Sequence, residues 1–150
     1  MKLKKLSEKQ FKEFADTNPE ITFYQTVSWA HLKKKNGWKA HYLGLEQDNT
    51  IIAGSLILSK TLPIIKKKML YAPRGFLIDY KNKNLLKEFT KQIKEYAKKE
   101  NAIFIKIDPY VEYKERNNNG EIITNGLDNS LAVTNLKDLG YKHFGFNLMQ

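Results

Sequence analysis

Residues 83–107 constrain the fold more than any other stretch of the chain. From 83 to 100, Leu85, Leu86, Phe89, Ile93, Tyr96 and Ala97 recur at helical spacing, while Lys87, Lys91, Lys94 and Lys98 fall on the opposite side. That is the pattern of an amphipathic helix with one face on a core. AIFIKI, residues 102–107, follows at once and reads as a short buried strand that stops at Asp108-Pro109. KKMLYA, residues 67–72, reads as a strand ahead of the helix. Strand, long helix and strand imply a parallel βαβ unit, for which the right-handed crossover is the rule.

Elsewhere the punctuation is local. Ser7 and Gln10 have capping-box spacing ahead of Phe11 and Phe14, so a short helix is expected, ending near Asn18-Pro19. A second helix is expected over residues 26–35, with Val27, Ala30 and His31 toward one face and a stop at Asn36-Gly37. WKAHYLGLEQ and IIAGSLILSK flank the turn QDNT as an antiparallel hairpin. Pro73 and Gly75 force PRGFLIDY out of regular pairing. NNNG and TNG mark a loop after Tyr113, a helix is expected over 128–139, and YKHFGFNLMQ is expected to begin a last strand. The order ααβββαβαβ describes an α/β (α+β) chain with a mixed sheet covered by helices, the order of an acetyltransferase-like (GNAT-like) fold.

At 150 residues the chain suits one domain. A hydrophobic content of 41% excludes a disordered tail. With no cysteine, disulfides, thiolate zinc sites and cysteine nucleophiles are excluded. The N-terminus has no continuous apolar core, and nowhere does the chain reach the roughly 18 apolar residues that a membrane helix needs. A soluble, cytoplasmic location is expected. The net charge of +10 favours anionic partners. The excess is concentrated in residues 51–100, with twelve basic and four acidic side chains. A lysine-rich solvated surface accounts for such charge equally well.

Three places carry candidate chemistry. Trp29 and Lys33 lie at i, i+4, so ring and ammonium share a helical face where the lysine can hold a phosphate. An ordinary amphipathic helix has the same spacing. Arg74 is one of only two arginines, the other being Arg116, and sits between Pro73 and Gly75. Its guanidinium suits bidentate contact with phosphate or carboxylate, or an ion pair with Asp79 that pins the loop. Asp108 is placed at the carboxyl end of a parallel strand, where open sheets bind ligands. It can accept a hydrogen bond from a ligand, act as general base, or form a turn with Pro109. His31, His41 and His143 show neither metal-ligand spacing nor a serine partner, so no metal site or triad is expected. Phosphate-cradling glycine loops are missing as well.

FYQTVSWAHLKKKNGW (23–38), YAPRGFLIDY (71–80), FIKIDPY (104–110) and LKDLGYKHFGF (136–146) together resemble, in order and spacing, the N-terminal part of the FemABX family. These are bacterial peptidyltransferases that add amino acids from aminoacyl-tRNA to the peptidoglycan precursor. GEIITNG, residues 120–126, is similar to a loop of its FemA-like branch. The resemblance implies an amide-forming transfer to the stem peptide or cross-bridge, without metal or organic cofactor. Its implied partners are a UDP-linked or lipid-linked muropeptide, aminoacyl-tRNA and the membrane surface as a peripheral contact.

Residue by residue, the resemblance implies that Lys33 contacts the precursor's diphosphate and that Asp108 lies in the binding cleft. Trp29, Arg74 and Tyr110 belong to the same motifs and complete the substrate-binding candidates; no catalytic residue is assigned. Family members are longer, with two tandem acetyltransferase-like subdomains, so residues 1–150 are expected to be a single N-terminal subdomain that does not turn over alone. Two other readings stay open. One is a non-catalytic anion-binding module using Lys66–Lys68 and the helix of 83–100. The other is a small acetyltransferase, against which the missing acetyl-CoA pyrophosphate loop counts.

Overall fold

The chain begins with a strand, β1 (Lys2–Lys5), that the expected order lacks. Leu3 is its one apolar residue among lysines, too weak a pattern to read locally. It forms because it pairs antiparallel with β2 (Lys39–Gln47), from Lys2 opposite Glu46 to Lys5 opposite Leu43. An ion pair of 2.6 Å between Lys4 and Glu46 reinforces that register. The computed structural model describes residues 1–145.

Helix α1 (Glu8–Asp16) starts at the expected capping box: Gln10 N–H donates to Ser7 Oγ, and Ser7 N–H donates to Gln10 Oε1. A 3-10 turn, Phe23–Gln25, leads into α2 (Val27–Lys35), whose Trp29 N–H is capped by the Thr26 hydroxyl at 3.2 Å. Gly37 at φ +78 then ends the helix. Ala30 is fully buried, as its face predicts, but His31 is exposed and meets Glu8 at 2.9 Å. The ring extends past the core and pairs with the carboxylate that opens α1.

Strand β3 (Thr50–Leu62) pairs antiparallel with β2 through the two-residue turn Asp48-Asn49. Both turn residues have positive φ, 48° and 62°, the conformation that matches strand twist. Next come β4 (Lys67–Ala72), α3 (Lys83–Lys99), β5 (Ala102–Ile107) and α4 (Ser130–Asp138). The sheet runs in order β1-β2-β3-β4-β5, antiparallel except for the expected parallel pair β4 and β5.

Central strand β3 is covered on both sides. Leu56 and Leu58 pack with Phe11, Ala15 and Ala30 of α1 and α2. On β2, Tyr42 stacks on Phe11 with ring centroids 5.1 Å apart, whereas its neighbour His41 reaches Tyr96 of α3. Along α3, Leu86, Phe89, Ile93 and Tyr96 are buried as the stripe requires. Strand β5 departs from expectation. Among the described residues it is the edge strand, and Ile103 and Phe104 are 50% and 47% exposed. An apolar run reports that a strand suits a covered position, not which described segment covers it.

Contacts divide the chain into two compact units: residues 1–78 with 88–110, and residues 79–87 with those from Val111 onward. In the second unit, the Asn135 amide donates to the carbonyls of Tyr80 and Lys81, and Lys83 pairs with Asp138 at 2.6 Å. Its loop after Tyr113 is held by isolated bridges, Lys114 to Asp128 and Arg116 to Ile122. Residues 141–145 form no strand, and the rest of the strand expected over 141–150 lies outside the described residues.

One buried network makes stability depend on pH. His41 Nδ1 lies 2.7 Å from Tyr96 Oη and Nε2 lies 2.8 Å from Ser59 Oγ. Burial holds its pKa down to about 4, while Lys68 and Lys5 hold Glu100 at about 2. Both groups bind protons more readily unfolded, so stability falls with pH, first through His41 below about 6.5 and then through Glu100 below about 4.5. We expect a loss on the order of 1–2 kcal/mol from His41 between pH 7 and pH 5. Urea unfolding of His41→Gln should give a flatter stability profile over that interval; a slope equal to wild type would contradict the assignment.

Candidate functional site

Two loops follow the carboxyl ends of the parallel pair: Pro73-Arg74-Gly75 after β4 and Asp108-Pro109-Tyr110 after β5. This is the position at which open sheets bind ligands. The first loop is a tight turn, closed by Gly75 N–H on the Ala72 carbonyl at 3.5 Å. Pro73 takes its second place and Arg74, at φ +51, its third. Glycine or asparagine is the rule there, because a side chain at positive φ costs about 1–2 kcal/mol.

The surroundings hold that strained turn. Asp108 Oδ1 accepts from the Arg74 backbone N–H at 2.9 Å, and Oδ2 accepts from the Tyr71 hydroxyl at 3.0 Å. Burial, then the charge of Asp108, raises the Tyr71 pKa well above the usual phenol range. On the other side stands Gln25, fully buried. Its Nε2 donates to the carbonyls of Pro73 (2.7 Å) and Leu56 (3.1 Å), and its Oε1 accepts from Leu56 N–H at 2.8 Å. Gly75 permits this contact: a Cβ there would lie 2.8 Å from the Gln25 amide.

Gln25 also closes the turn that carries Phe23 and Tyr24. Those rings pack edge-on against Trp29, with centroids 5.4 and 4.9 Å away. Lys33 Nζ stands 4.6 Å from the Trp29 ring, and the Arg74 guanidinium 5.7 Å from the Tyr24 ring. Lys106 of β5 lies 5.5 Å from the Tyr71 ring. Among the described residues no carboxylate forms an ion pair with Lys33, Arg74 or Lys106. The Trp29 indole N–H is buried without a hydrogen-bond partner.

Trp29, Lys33, Arg74 and Asp108 thus belong to one connected group, all within the first unit. Tyr110 is exposed, and no hydrogen bond or ring contact joins it to them. Of the two alternatives for Arg74, the ion pair with Asp79 does not form. The loop is pinned through its backbone N–H, and the guanidinium faces Tyr24. Asp79 instead accepts from Lys81 N–H. Asp108 acts as a strut, with both oxygens already accepting. Gln25, Tyr24 and Tyr71 are additions; all three lie inside the motifs quoted above, but nothing local marks Gln25 as buried.

The resulting entity is an acetyltransferase-like domain in which, among the described residues, cations without an ion-pair partner stand over aromatic rings of α2, its preceding turn and the parallel strands. The likeness to the ribosomal-protein-alanine N-acetyltransferase from Brucella melitensis biovar Abortus 2308 defines the fold alone, with TM-score 0.58, 12% identity, and coverage of 100% of this chain and 99% of that one. The FemAB family model matches residues 6–149, and the chain belongs to that family, the FemABX family of the sequence motifs. Aminoacyltransferase FemA of Staphylococcus aureus (strain MW2) is 34% identical over 148 residues, covering 98% of this chain and 35% of that protein. The crystal structure of FemX has TM-score 0.80 and 32% identity, covering 98% of this chain and 33% of that one. The chain therefore spans about a third of the length of these relatives.

The strut can be tested by stability. Asp108→Ala leaves the Arg74 N–H and Tyr71 O–H without their acceptor and should cost about 1–3 kcal/mol in urea unfolding. Asp108→Asn should retain most of it, because the amide oxygen still accepts from Arg74 and the Tyr71 hydroxyl can accept from the amide nitrogen. Equal losses in the two variants would show that the carboxylate charge matters more than the acceptor geometry.

Proposed function

We propose that this chain is the N-terminal subdomain of an aminoacyltransferase that moves amino acids from aminoacyl-tRNA to the stem peptide or cross-bridge of a peptidoglycan precursor. In that reaction the acceptor amine attacks the ester carbonyl of the aminoacyl-tRNA. An amide forms, the ester bond breaks, and the tRNA leaves with its ribose hydroxyl. The substrates place the work in the cytoplasm. Family membership and the relatives named aminoacyltransferase FemA support this reading.

The observation that carries it is the cost accepted at Arg74. A non-glycine residue at positive φ, held by Asp108 on one side and Gln25 on the other, presents a guanidinium that no carboxylate among the described residues neutralises. Backbone strain that the surroundings hold in place is often found at ligand sites. In the proposed site Lys33 takes the precursor's diphosphate as a point charge, and Arg74 supplies a second, planar cation across the Trp29 and Tyr24 rings. Those rings offer a surface for the nucleotide or sugar, while Asp108 keeps the Arg74 turn in place. Tyr110, exposed on the Asp108 loop, is a further candidate contact for the ligand. Turnover is proposed to need the remaining two thirds of the relatives' length, so the 150-residue chain binds precursor without transferring to it.

Calorimetric titration with the UDP-linked precursor tests the site. Lys33→Ala and Arg74→Gly should each weaken binding roughly 10-fold or more, the loss of one charge-assisted contact. Arg74→Gly should do so with no loss of thermal stability, and a gain of up to about 1 kcal/mol, because glycine relieves the positive φ. Unchanged affinity in both variants would remove the site.

A further inference from the structure

The tip of the β3–β4 hairpin is built unlike the rest of the surface. Ile64 is 96% exposed and Ile65 is 50% exposed, in the turn that joins the two strands. The turn is ordered: Lys66 N–H donates to the Leu62 carbonyl at 3.0 Å, with Lys66 at φ +49. Lys66 in the turn and Lys67 at the start of β4 are exposed, Lys67 also donating to Asn101 Oδ1 at 2.6 Å, while Lys68 is taken by Glu100 at 2.8 Å. No acidic residue occurs from Lys60 to Lys68. A folded hairpin therefore holds two branched apolar side chains in water with two exposed lysines behind them.

We infer that this tip is a membrane-surface anchor: Ile64 and Ile65 enter the interface of an anionic bilayer, and Lys66 and Lys67 meet its headgroups. Apolar residues in front and lysines behind match the two layers of such a surface. Nucleic acid fits less well, because the tip offers neither an aromatic ring for base stacking nor an arginine. A stable protein interface needs about 800 Å² per partner, far more than two isoleucines present. The inference stands apart from the proposed transfer reaction, since it needs neither precursor nor tRNA.

Sedimentation with vesicles decides it. The chain at about 0.15 M salt should bind phosphatidylglycerol-containing vesicles and not pure phosphatidylcholine vesicles, as the screening length there still lets headgroups attract lysines. The double variant Ile64→Ser and Ile65→Ser should lower the partition coefficient at least tenfold with unchanged thermal stability, both side chains being exposed. Lys66→Gln with Lys67→Gln should also lower it, roughly fivefold per lysine. Because the chain has no cysteine, Ile64→Cys carries a single environment-sensitive fluorophore, whose emission should shift to the blue on phosphatidylglycerol vesicles. Three results would overturn the anchor: no binding to either vesicle, binding that the isoleucine variant leaves intact, or a fluorophore that stays in water on bound protein. Self-association lost in the isoleucine variant, without vesicle binding, would assign the tip to a second copy instead.

Discussion

Gln25 brings its side-chain amide to the point where three separately encoded segments meet. Fully buried, it hydrogen-bonds both backbone groups of Leu56 on the central strand and the Pro73 carbonyl of the loop after β4. An unsatisfied buried amide costs several times what a hydrogen bond contributes, so each partner is tied to the others. Because Gln25 ends the turn bearing Phe23 and Tyr24, the same bonds set where α2 begins. The positions of Trp29 and Lys33 follow from that start.

Asp108 completes the arrangement from the opposite side. A carboxylate at the end of a parallel strand is commonly read as a ligand for substrate, but here its oxygens hold a backbone amide and a phenol. Its contribution is conformational: it keeps an arginine where the chain would favour glycine. The reactive-looking residue stabilises, and the strained residue beside it presents the charge. Two cations stand over adjacent rings with no acid paired to either among the described residues, and such a surface favours anionic ligands in general.

What could be read from the sequence was what neighbouring residues decide together. The α3 stripe, the capping box at Ser7, the Asp48-Asn49 turn and the parallel strand–helix–strand unit all rest on spacing within one segment, and all occur in the structure. The readings that failed depend on distant partners. Strand β1 exists through pairing with residues some forty positions away, His31 turns outward to Glu8, and the edge position of β5 exposes Ile103 and Phe104. At the site, Lys33, Trp29, Arg74 and Asp108 were legible as residues, but their connection was not. It runs through Gln25 and Tyr71, whose roles are fixed by bonds across 31 to 48 positions. Family motifs brought the four residues together where spacing alone left each ambiguous.

The anionic precursor is proposed to dock on this strained, aromatic-backed loop. Nuclear magnetic resonance tests it directly, because the chain has two tryptophans and hence two indole N–H signals, from Trp29 and Trp38. On titration with the UDP-linked precursor, the Trp29 indole and the backbone amides of Lys33 and Arg74 should shift together along one saturation curve, while the Trp38 indole stays in place. Saturable shifts that gather elsewhere, with Trp29, Lys33 and Arg74 unmoved, would contradict the account.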